Sequence, residues 1–141
     1  VAYYAQPLSN VNQEIGSGMV GELHQPMEAM DFLKRLRTTM EAKGIRYTSI
    51  CKNQIQKVAV CGGSGSFLHD MAIAAGADIF ISSDFKYHDY FESDNKIIIA
   101  DIGHYETEQF TKELLYDILS EKFANIALRL TEVVTNPINY L

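Results

Sequence analysis

Residues with the types and spacing of metal ligands lie in IIIADIGHYETEQF, residues 97–110, where an apolar run ends in a histidine and several acids. His104 and Glu108 are four residues apart, so in a helix both side chains lie on one face, with Cβ atoms roughly 5–6 Å apart. An imidazole and a carboxylate at this separation can bind one divalent cation at about 2.0–2.2 Å, and the pair suits Zn, Fe, Mn or Co better than Ca. The spacing therefore predicts metal ligands, with a surface ion pair or a helix cap as the alternative.

Other polar residues near this segment carry weaker signals. Glu106 points to a different side of the same helix, and we expect it to be solvated or bound to backbone N–H groups of the first turn. Asp84 and His88 repeat the four-residue spacing after another apolar run, with an ordinary polar loop as the alternative. His24 and His69 have no such neighbours, so we interpret them as surface or packing residues.

The turn GGSGS, residues 62–66, could bind an anion. It follows an apolar run and precedes a helix, where free backbone N–H groups and the helix dipole can bind a phosphate or a carboxylate. Gly63, Ser64 and Gly65 are the candidate contacts. The alternative is a turn that requires glycine for steric reasons alone.

The segment GSGMVG, residues 16–21, matches the dinucleotide-binding fingerprint letter by letter. In that fingerprint the third glycine already lies in a helix, and a strand ending in an acid follows. Here ELHQP follows, and the sequence about twenty residues further on is helical. We therefore expect strand bulges or close backbone packing at these glycines.

Three apolar runs of strand length are continuous rather than alternating, which favours parallel strands covered on both faces. They are Lys57–Cys61, Asp78–Ser82 and Lys96–Ala100. Helical stretches separate or follow them, so the pattern predicts an α/β fold with a mostly parallel sheet and helices on both faces. Ligands of such sheets gather at the carboxyl ends of the strands, and the polar clusters after these three runs should share one edge.

Capping residues and apolar spacing predict the remaining elements. One helix has Pro26 in its first turn, a second covers Phe67–Ala75 with Ser66 as its cap, and a third, Thr107–Lys122, is amphipathic and packs on the sheet. The segment NIALRLTEVV, residues 125–134, is predicted to be a final strand.

The composition argues against several classes of function. The 141 residues carry a formal net charge of −6, with a sequence pI of about 5.1. Binding to nucleic acid or to an anionic membrane requires clustered Lys and Arg, which this chain lacks. No apolar run approaches the roughly 20 residues that span a bilayer. Cys51 and Cys61 are too few for a disulfide scaffold, which indicates a reducing, cytoplasmic setting.

Four segments, in their order and spacing, resemble the C-terminal half of the Nif-three-like family of dinuclear-metal proteins, also labelled GTP cyclohydrolase 1 type 2. They are GSGMVGEL, VAVCGGSGS, GADIFISSDFKYHDY and IIIADIGHYETE. The resemblance covers nearly the whole chain from Gly16 onward, and the G-H-x-x-T-E element is its most specific part. It implies one half of a two-lobed α/β fold, with two metal ions in a cleft between the halves. The complete subunits are expected to form a homohexameric ring.

The resemblance also implies a domain division and residue roles. Residues 1–13 resemble the closing strand and linker of an inserted small domain, and 14–141 form the C-terminal α/β metal-binding domain of a longer protein. His104 and Glu108 match the family's ligands from this half, while a histidine pair and an aspartate from the N-terminal half complete the set. The residues expected to line or support the site are Asp84, His88, Asp101 and Thr107.

The function that the resemblance implies is a metal-dependent hydrolase or cyclohydrolase. Its substrate would be a nucleotide-like or phosphorylated small molecule, and two divalent ions per complete subunit would be required. This chain alone is expected to be inactive. The alternative is a non-catalytic, metal-dependent scaffold or regulator that assembles into a ring.

Overall fold

A five-stranded sheet forms the centre of the structure, a computed structural model that describes residues 16–141. The strands are β1 (Met19–Glu28), β2 (Arg46–Tyr47), β3 (Gln54–Ser64), β4 (Ile79–Ser83) and β5 (Ile98–Asp101). In space they follow the order β1-β3-β4-β5-β2, with β3, β4 and β5 parallel and the two edge strands antiparallel. The predicted α/β class is confirmed, with a mixed sheet whose central strands are parallel.

Apolar side chains cover both faces of the sheet, because consecutive strand residues point to opposite sides. The helices are α1 (Ala29–Thr39), α2 (His69–Ala74), α3 (His104–Glu108) and α4 (Thr111–Lys122). On one face Ile79 belongs to a buried cluster with Phe32 of α1. On the other face Phe80 belongs to a second cluster with Ala72 of α2. The prediction of helices on both faces is therefore confirmed.

The first helix begins later than predicted. Pro26 lies within β1, an edge strand, where a residue without an N–H can face away from the neighbouring strand. The pairing of β1 with β3 shifts register between Glu22 and Met27, so Pro26 falls in the irregular part of the strand. Glu28 then caps α1, since its Oε2 accepts a hydrogen bond from Asp31 N at 2.9 Å.

The glycines of the GSGMVG segment lead into a strand rather than a helix. At Gly18 an added Cβ would lie 2.8 Å from the carbonyl oxygen of Val60 and 2.9 Å from Cδ1 of Leu68. Gly21 has open space around it. The expected close backbone packing is thus present at Gly18.

The second predicted helix is shorter than expected. A 3-10 turn, Ser66–Leu68, precedes α2, and Gly76 follows the helix with a φ of 73°. The prediction that Ser66 caps this helix is wrong. Ser66 already lies inside the 3-10 turn, and the N-cap position before that turn is Gly65, which has no side chain to form a cap.

The third predicted helix is wrong in extent and in packing. α3 ends at Glu108 and α4 begins at Thr111, so Gln109 and Phe110 separate two helices. No residue of α4 is buried, and its large apolar side chains are exposed: Leu114, Leu115, Ile118 and Leu119. Within residues 16–141 this apolar face has no covering layer.

The C-terminal segment departs most from expectation. The strand predicted at residues 125–134 is wrong, because the described chain has no regular element from residue 127 to residue 141. An extended segment becomes a strand only when a neighbour completes its hydrogen bonds. The domain division at residues 1–13 lies outside the described residues. No helix of residues 16–141 has both the length and the apolarity needed to cross a membrane.

Candidate metal site

The carboxyl ends of β3, β4 and β5 lie side by side, which brings the polar clusters of the sequence to one edge of the sheet. Asp84 follows β4 directly, while His104 opens α3 three residues after Asp101, the last residue of β5. α3 in turn contacts both β3 and β4. Neighbouring parallel strands therefore place the two clusters within side-chain reach of each other.

Asp84 and His104 form a direct contact, with 2.5 Å between Oδ2 of Asp84 and Nδ1 of His104. An ionised carboxylate can only accept, so the imidazole donates from Nδ1 and keeps a lone pair on Nε2 in its neutral form. The hydrogen bond to Asp84 raises the pKa of His104; desolvation opposes this shift, and the charges of Asp84 and Glu108 add to it. Metal-binding histidines are commonly oriented in this way by a carboxylate at their second nitrogen.

His104 and Glu108, the candidate ligand pair, are spaced so that both could bind one ion. Nε2 of His104 lies 3.3 Å from Oε2 of Glu108, across one turn of α3. Two ligand atoms that are each about 2.1 Å from one tetrahedral ion lie roughly 3.4 Å apart. Both side chains are half-exposed, so an ion has access to them. The donor set and its spacing therefore fit a divalent transition metal.

Gly63 leaves room beside this pair. A Cβ added to Gly63 would lie 2.7 Å from Oε1 of Glu108 and 3.4 Å from Nε2 of His104. Any side chain here would thus occupy the volume next to the Glu108 carboxylate and Nε2 of His104. The missing side chain forms a cradle that suits an ion bound by the pair.

Thr107 connects α3 to the glycine turn. Its Oγ1 accepts a hydrogen bond from Gly63 N at 2.8 Å and donates one to His104 O at 2.7 Å. The supporting role expected for Thr107 stays a prediction, and through these two hydrogen bonds Thr107 could act on His104.

Asp101 is buried and holds the loop that precedes α3. Its Oδ2 accepts hydrogen bonds from Arg46 Nη2 at 2.5 Å and from the Tyr90 hydroxyl at 3.2 Å. Its Oδ1 accepts from Gly103 N at 3.1 Å. Burial, together with the charge of Asp101, raises the pKa of Tyr90 to about 12. Asp101 thus acts on the ligand pair through the backbone of Gly103, which has a φ of 97°.

His88 lies apart from the ligand pair. It is exposed, and its ring packs edge-on against Tyr87, with 5.6 Å between the ring centroids. In the described part of the chain, Asp84 bonds to His104 rather than to His88. The four-residue spacing of Asp84 and His88 therefore does not lead to a contact between them.

Glu106 is buried, so the expectation that it is solvated or bound to backbone is wrong. Only 3% of the residue is exposed. Its Oε1 accepts long hydrogen bonds from the Tyr140 hydroxyl at 3.3 Å and from Asn136 Nδ2 at 3.4 Å. Oε2 is buried without a hydrogen-bond partner among residues 16–141. The C-terminal segment covers this side of α3, which local spacing in the sequence could not reveal.

The GGSGS turn has a steric role at two of its glycines. The N–H of Gly63 is already donated to Thr107, and Gly65 packs so closely on Cys61 and Ser82 that a side chain would clash with both. Ser64 is exposed. Anion binding by Gly63, Ser64 and Gly65 stays a prediction. Burial raises the pKa of the Cys61 thiol, which keeps it protonated and unreactive at neutral pH.

A cavity of about 650 Å³ adjoins the ligand pair. His104 and Glu108 line it, and Lys112 of α4 contributes a positive charge to its lining. The C-terminal segment supplies six more of its lining residues, between Thr131 and Ile138. The volume falls within the range of small-molecule sites, roughly 300–1,000 Å³.

Among residues 16–141, no three His, Cys, Asp or Glu side chains are arranged to hold one metal ion. His104 and Glu108 would therefore be only part of the ligand set of a metal ion, and Asp84 contacts the other ring nitrogen of His104. The spacing of residues in the sequence did not predict two contacts, the one between Asp84 and His104 and the hydrogen bond from Gly63 to Thr107. The available signal was positional, since each contact joins residues that follow the ends of neighbouring strands.

Comparison with known proteins identifies relatives of this chain. A family model described as Duf34/NIF3 (NGG1p interacting factor 3) matches residues 4–137. A GTP cyclohydrolase 1 type 2 homolog from Staphylococcus epidermidis is 32% identical over 136 residues, covering 93% of this chain and 37% of the relative. A protein of the same name from Halalkalibacterium halodurans is 30% identical over 144 residues, covering 99% and 39%.

A solved structure shares the fold. The crystal structure of a Bacillus cereus protein related to NIF3 aligns with a TM-score of 0.75 at 25% identity. The alignment covers 89% of this chain and 36% of that protein. This chain thus spans well under half the length of the relatives that it resembles.

Proposed function

Because this chain belongs to the Duf34/NIF3 family, we propose that it is the C-terminal domain of a dinuclear-metal-binding hydrolase or cyclohydrolase. His104 and Glu108 are the ligands that this domain supplies. The observation that carries the proposal is the orientation of His104, with Nδ1 bonded to Asp84 at 2.5 Å and Nε2 facing Glu108 at 3.3 Å. A surface ion pair requires no such second carboxylate, whereas a metal-binding imidazole gains orientation and basicity from it.

The remaining ligands would come from the other half of the complete protein. The incomplete ligand set of residues 16–141 and the 37% coverage of a relative support this division. Two divalent ions, Zn, Fe, Mn or Co, would supply an activated water and stabilise developing charge during hydrolysis. The residues of this chain bind and orient: Asp84 keeps a proton on Nδ1, and Thr107 ties α3 to the sheet.

The proposed substrate is a nucleotide-like or phosphorylated small molecule. The cavity of about 650 Å³ beside the ligand pair is large enough for such a molecule. Lys112 offers it a positive charge, and its only ion-pair partner among the described residues, Glu113, lies 3.5 Å away at the surface. The name of the curated relatives, GTP cyclohydrolase 1 type 2 homolog, agrees with a substrate of this class.

Metal content is the first test. The chain is purified without chelator, and its metals are measured by elemental mass spectrometry beside a His104→Ala/Glu108→Ala variant. Glu22→Ala/His24→Ala, which removes the same residue types from β1, is the matched control. We expect metal in the wild type and in the control, and its loss in the ligand variant. The same comparison in the full-length protein decides whether His104 and Glu108 are ligands. Equal metal content in the wild type, the ligand variant and the control variant would rule them out.

Turnover distinguishes an enzyme from the second candidate, a metal-dependent scaffold that assembles into a ring. The exposed apolar face of α4 favours that candidate, since such a face suits subunit contacts. The full-length protein is assayed with GTP and with simple phosphodiesters. Metal-dependent turnover that disappears in His104→Ala supports the enzyme, while metal binding with no turnover of either substrate supports the scaffold.

A further inference from the structure

The backbone of Gly63 is hydrogen-bonded on both sides of its Cα. Its N–H donates to Thr107 Oγ1 at 2.8 Å, and the same hydroxyl donates to His104 O at 2.7 Å. Its carbonyl oxygen accepts hydrogen bonds from the hydroxyls of Ser82 and Ser83, at 3.0 and 2.6 Å. The backbone of one residue therefore links the end of β4 to the first residue of α3.

The bare Cα of Gly63 faces the ligand pair. An added Cβ would approach Oε1 of Glu108 to 2.7 Å, Cε1 of His104 to 3.3 Å and Nε2 of His104 to 3.4 Å. The adjacent Gly62 differs, since a Cβ there would meet nothing closer than 3.8 Å. Contacts below 3.0 Å force a group to move. A side chain at position 63 would therefore displace the Glu108 carboxylate and press on the imidazole.

We propose that Gly63 is a positioning residue for the metal ligands: its backbone, connected through Thr107, sets where α3 sits, and its bare Cα lets His104 and Glu108 converge. The role of the pair as metal ligands rests on the proposed function. The positioning itself is a property of this chain alone. It can be measured without any metal.

The first experiment reads the imidazole of His104 by NMR in the metal-free 141-residue chain at constant pH. Gly63 has a φ of 64°, so Gly63→Ala adds backbone strain as well as a close contact, and two controls separate these effects. Gly62→Ala adds a methyl group in the same turn without a close contact, and Gly76→Ala adds one at a φ of 73° with nothing within 4 Å. We expect the His104 Cε1–H signal to move in Gly63→Ala, with a nuclear Overhauser contact from the new methyl group, and to stay in place in both controls.

Two results would overturn the proposal. One is a His104 signal in Gly63→Ala that coincides with the wild type. The other is an equal displacement in Gly76→Ala, because strain alone would then account for the effect. Thr107 supplies an independent arm: Thr107→Val should move the same signal, and Thr107→Ser, which restores the hydroxyl, should return it.

Metal affinity is the second readout, measured by titration with Co²⁺ and its visible absorption bands. We expect Gly63→Ala and Thr107→Val to bind about 10–100-fold more weakly than the wild type, with altered band shape, while Gly62→Ala and Gly76→Ala match it. Uniform affinity in all of these proteins would refute a role in metal binding. If the wild-type chain binds no Co²⁺ but the NMR result holds, the positioning of the pair stands, and the same titration of the full-length variants decides its role in metal binding, which equal affinity there would refute.

Discussion

Asp84 and His104 are 20 residues apart in sequence, yet 2.5 Å separates Oδ2 of the first from Nδ1 of the second. They meet because Asp84 leaves β4 and His104 follows β5, the next strand of the parallel sheet. Asp84 adopts a φ of 59°, a left-handed conformation that Asp tolerates better than most residues. The backbone turn after β4 therefore directs a carboxylate towards the imidazole.

Replacing Asp84 with Asn should lower the pKa of His104. The hydrogen bond from His104 to Asp84 is the main cause of its raised pKa, and the neutral amide supports the imidazolium less. NMR titration of the imidazole signals measures the change, with the exposed His24 as internal reference. An unchanged His104 titration would contradict the assigned contact.

The same pair makes stability depend on pH. A folded-state pKa above the ordinary value of 6.5 means that the pair stabilises the fold fully below that pH and loses the contribution as pH rises through the folded value. Solvent screening keeps the effect small, because both side chains are about half-exposed. Asp84→Asn should flatten this part of the pH dependence.

Tyr90 should titrate later than an exposed tyrosine. Burial and the charge of Asp101 raise its pKa to about 12, so the folded state holds its proton where the unfolded chain has lost it. The free energy of unfolding should therefore fall as pH rises from about 10 towards about 12. Absorbance near 295 nm follows the eight tyrosines, and Tyr90→Phe should remove one late step and part of that fall. An identical late step in Tyr90→Phe would show that another tyrosine is responsible.

Glu106→Gln should stabilise the fold. The carboxylate is buried, one of its oxygens has no partner among the described residues, and the other accepts only two long hydrogen bonds. A neutral amide costs less to bury, which should raise the free energy of unfolding by about 1 kcal/mol. Urea unfolding measures the change, with the exposed Glu121→Gln as a control expected to have no effect. The pKa of Tyr140, raised by burial and then by the Glu106 charge, should fall in the same variant.

The apolar face of α4 should cause the 141-residue chain to associate with itself. Leu114 and Ile118 lie one turn apart with 59% and 49% of their surfaces exposed, although leucine and isoleucine are usually buried. Sedimentation at micromolar concentration should show oligomers of the wild type and monomers of Leu114→Glu/Ile118→Glu. Thr38→Glu/Thr39→Glu adds the same charge on α1 and should still associate. A monomeric wild type would contradict the prediction.

The sheet could be predicted from the sequence because its strands carry a strong local signal. Ile79, Phe80 and Ile81 are all buried, as are Ile98 and Ile99, and a strand buried on both faces reads as an unbroken apolar run. The predictions for Pro26 and for α4 were wrong for a related reason. Capping and apolar spacing reflect only the helix in which they occur. The position of Pro26 depends instead on strand pairing at the edge of the sheet, and the exposure of α4 depends on the absence of a covering layer among the described residues.

The candidate ligands were predictable and their surroundings were not. The spacing of His104 and Glu108 is local, since both lie in one turn of α3. Asp84 was paired with His88 by the same spacing rule, and only the neighbouring ends of β4 and β5 pair it with His104 instead. Burial of Glu106 likewise depends on Tyr140, 34 residues away in sequence.

The five-residue length of α3 couples ligand geometry to local folding. A single helical turn does not persist in water without outside contacts, because fixing the backbone of its residues costs more free energy than its first hydrogen bond supplies. α3 depends on its own Thr107, whose hydroxyl accepts a hydrogen bond from Gly63 N, and on Gln109 just after the helix, whose Nε2 donates to Met40 O at 2.7 Å. The affinity for an ion at His104 and Glu108 would therefore depend on how well α3 and the residues that contact it are ordered. Variants at Gln109 or Tyr140 should therefore change ion affinity through the cooperativity of local ordering, without touching a ligand.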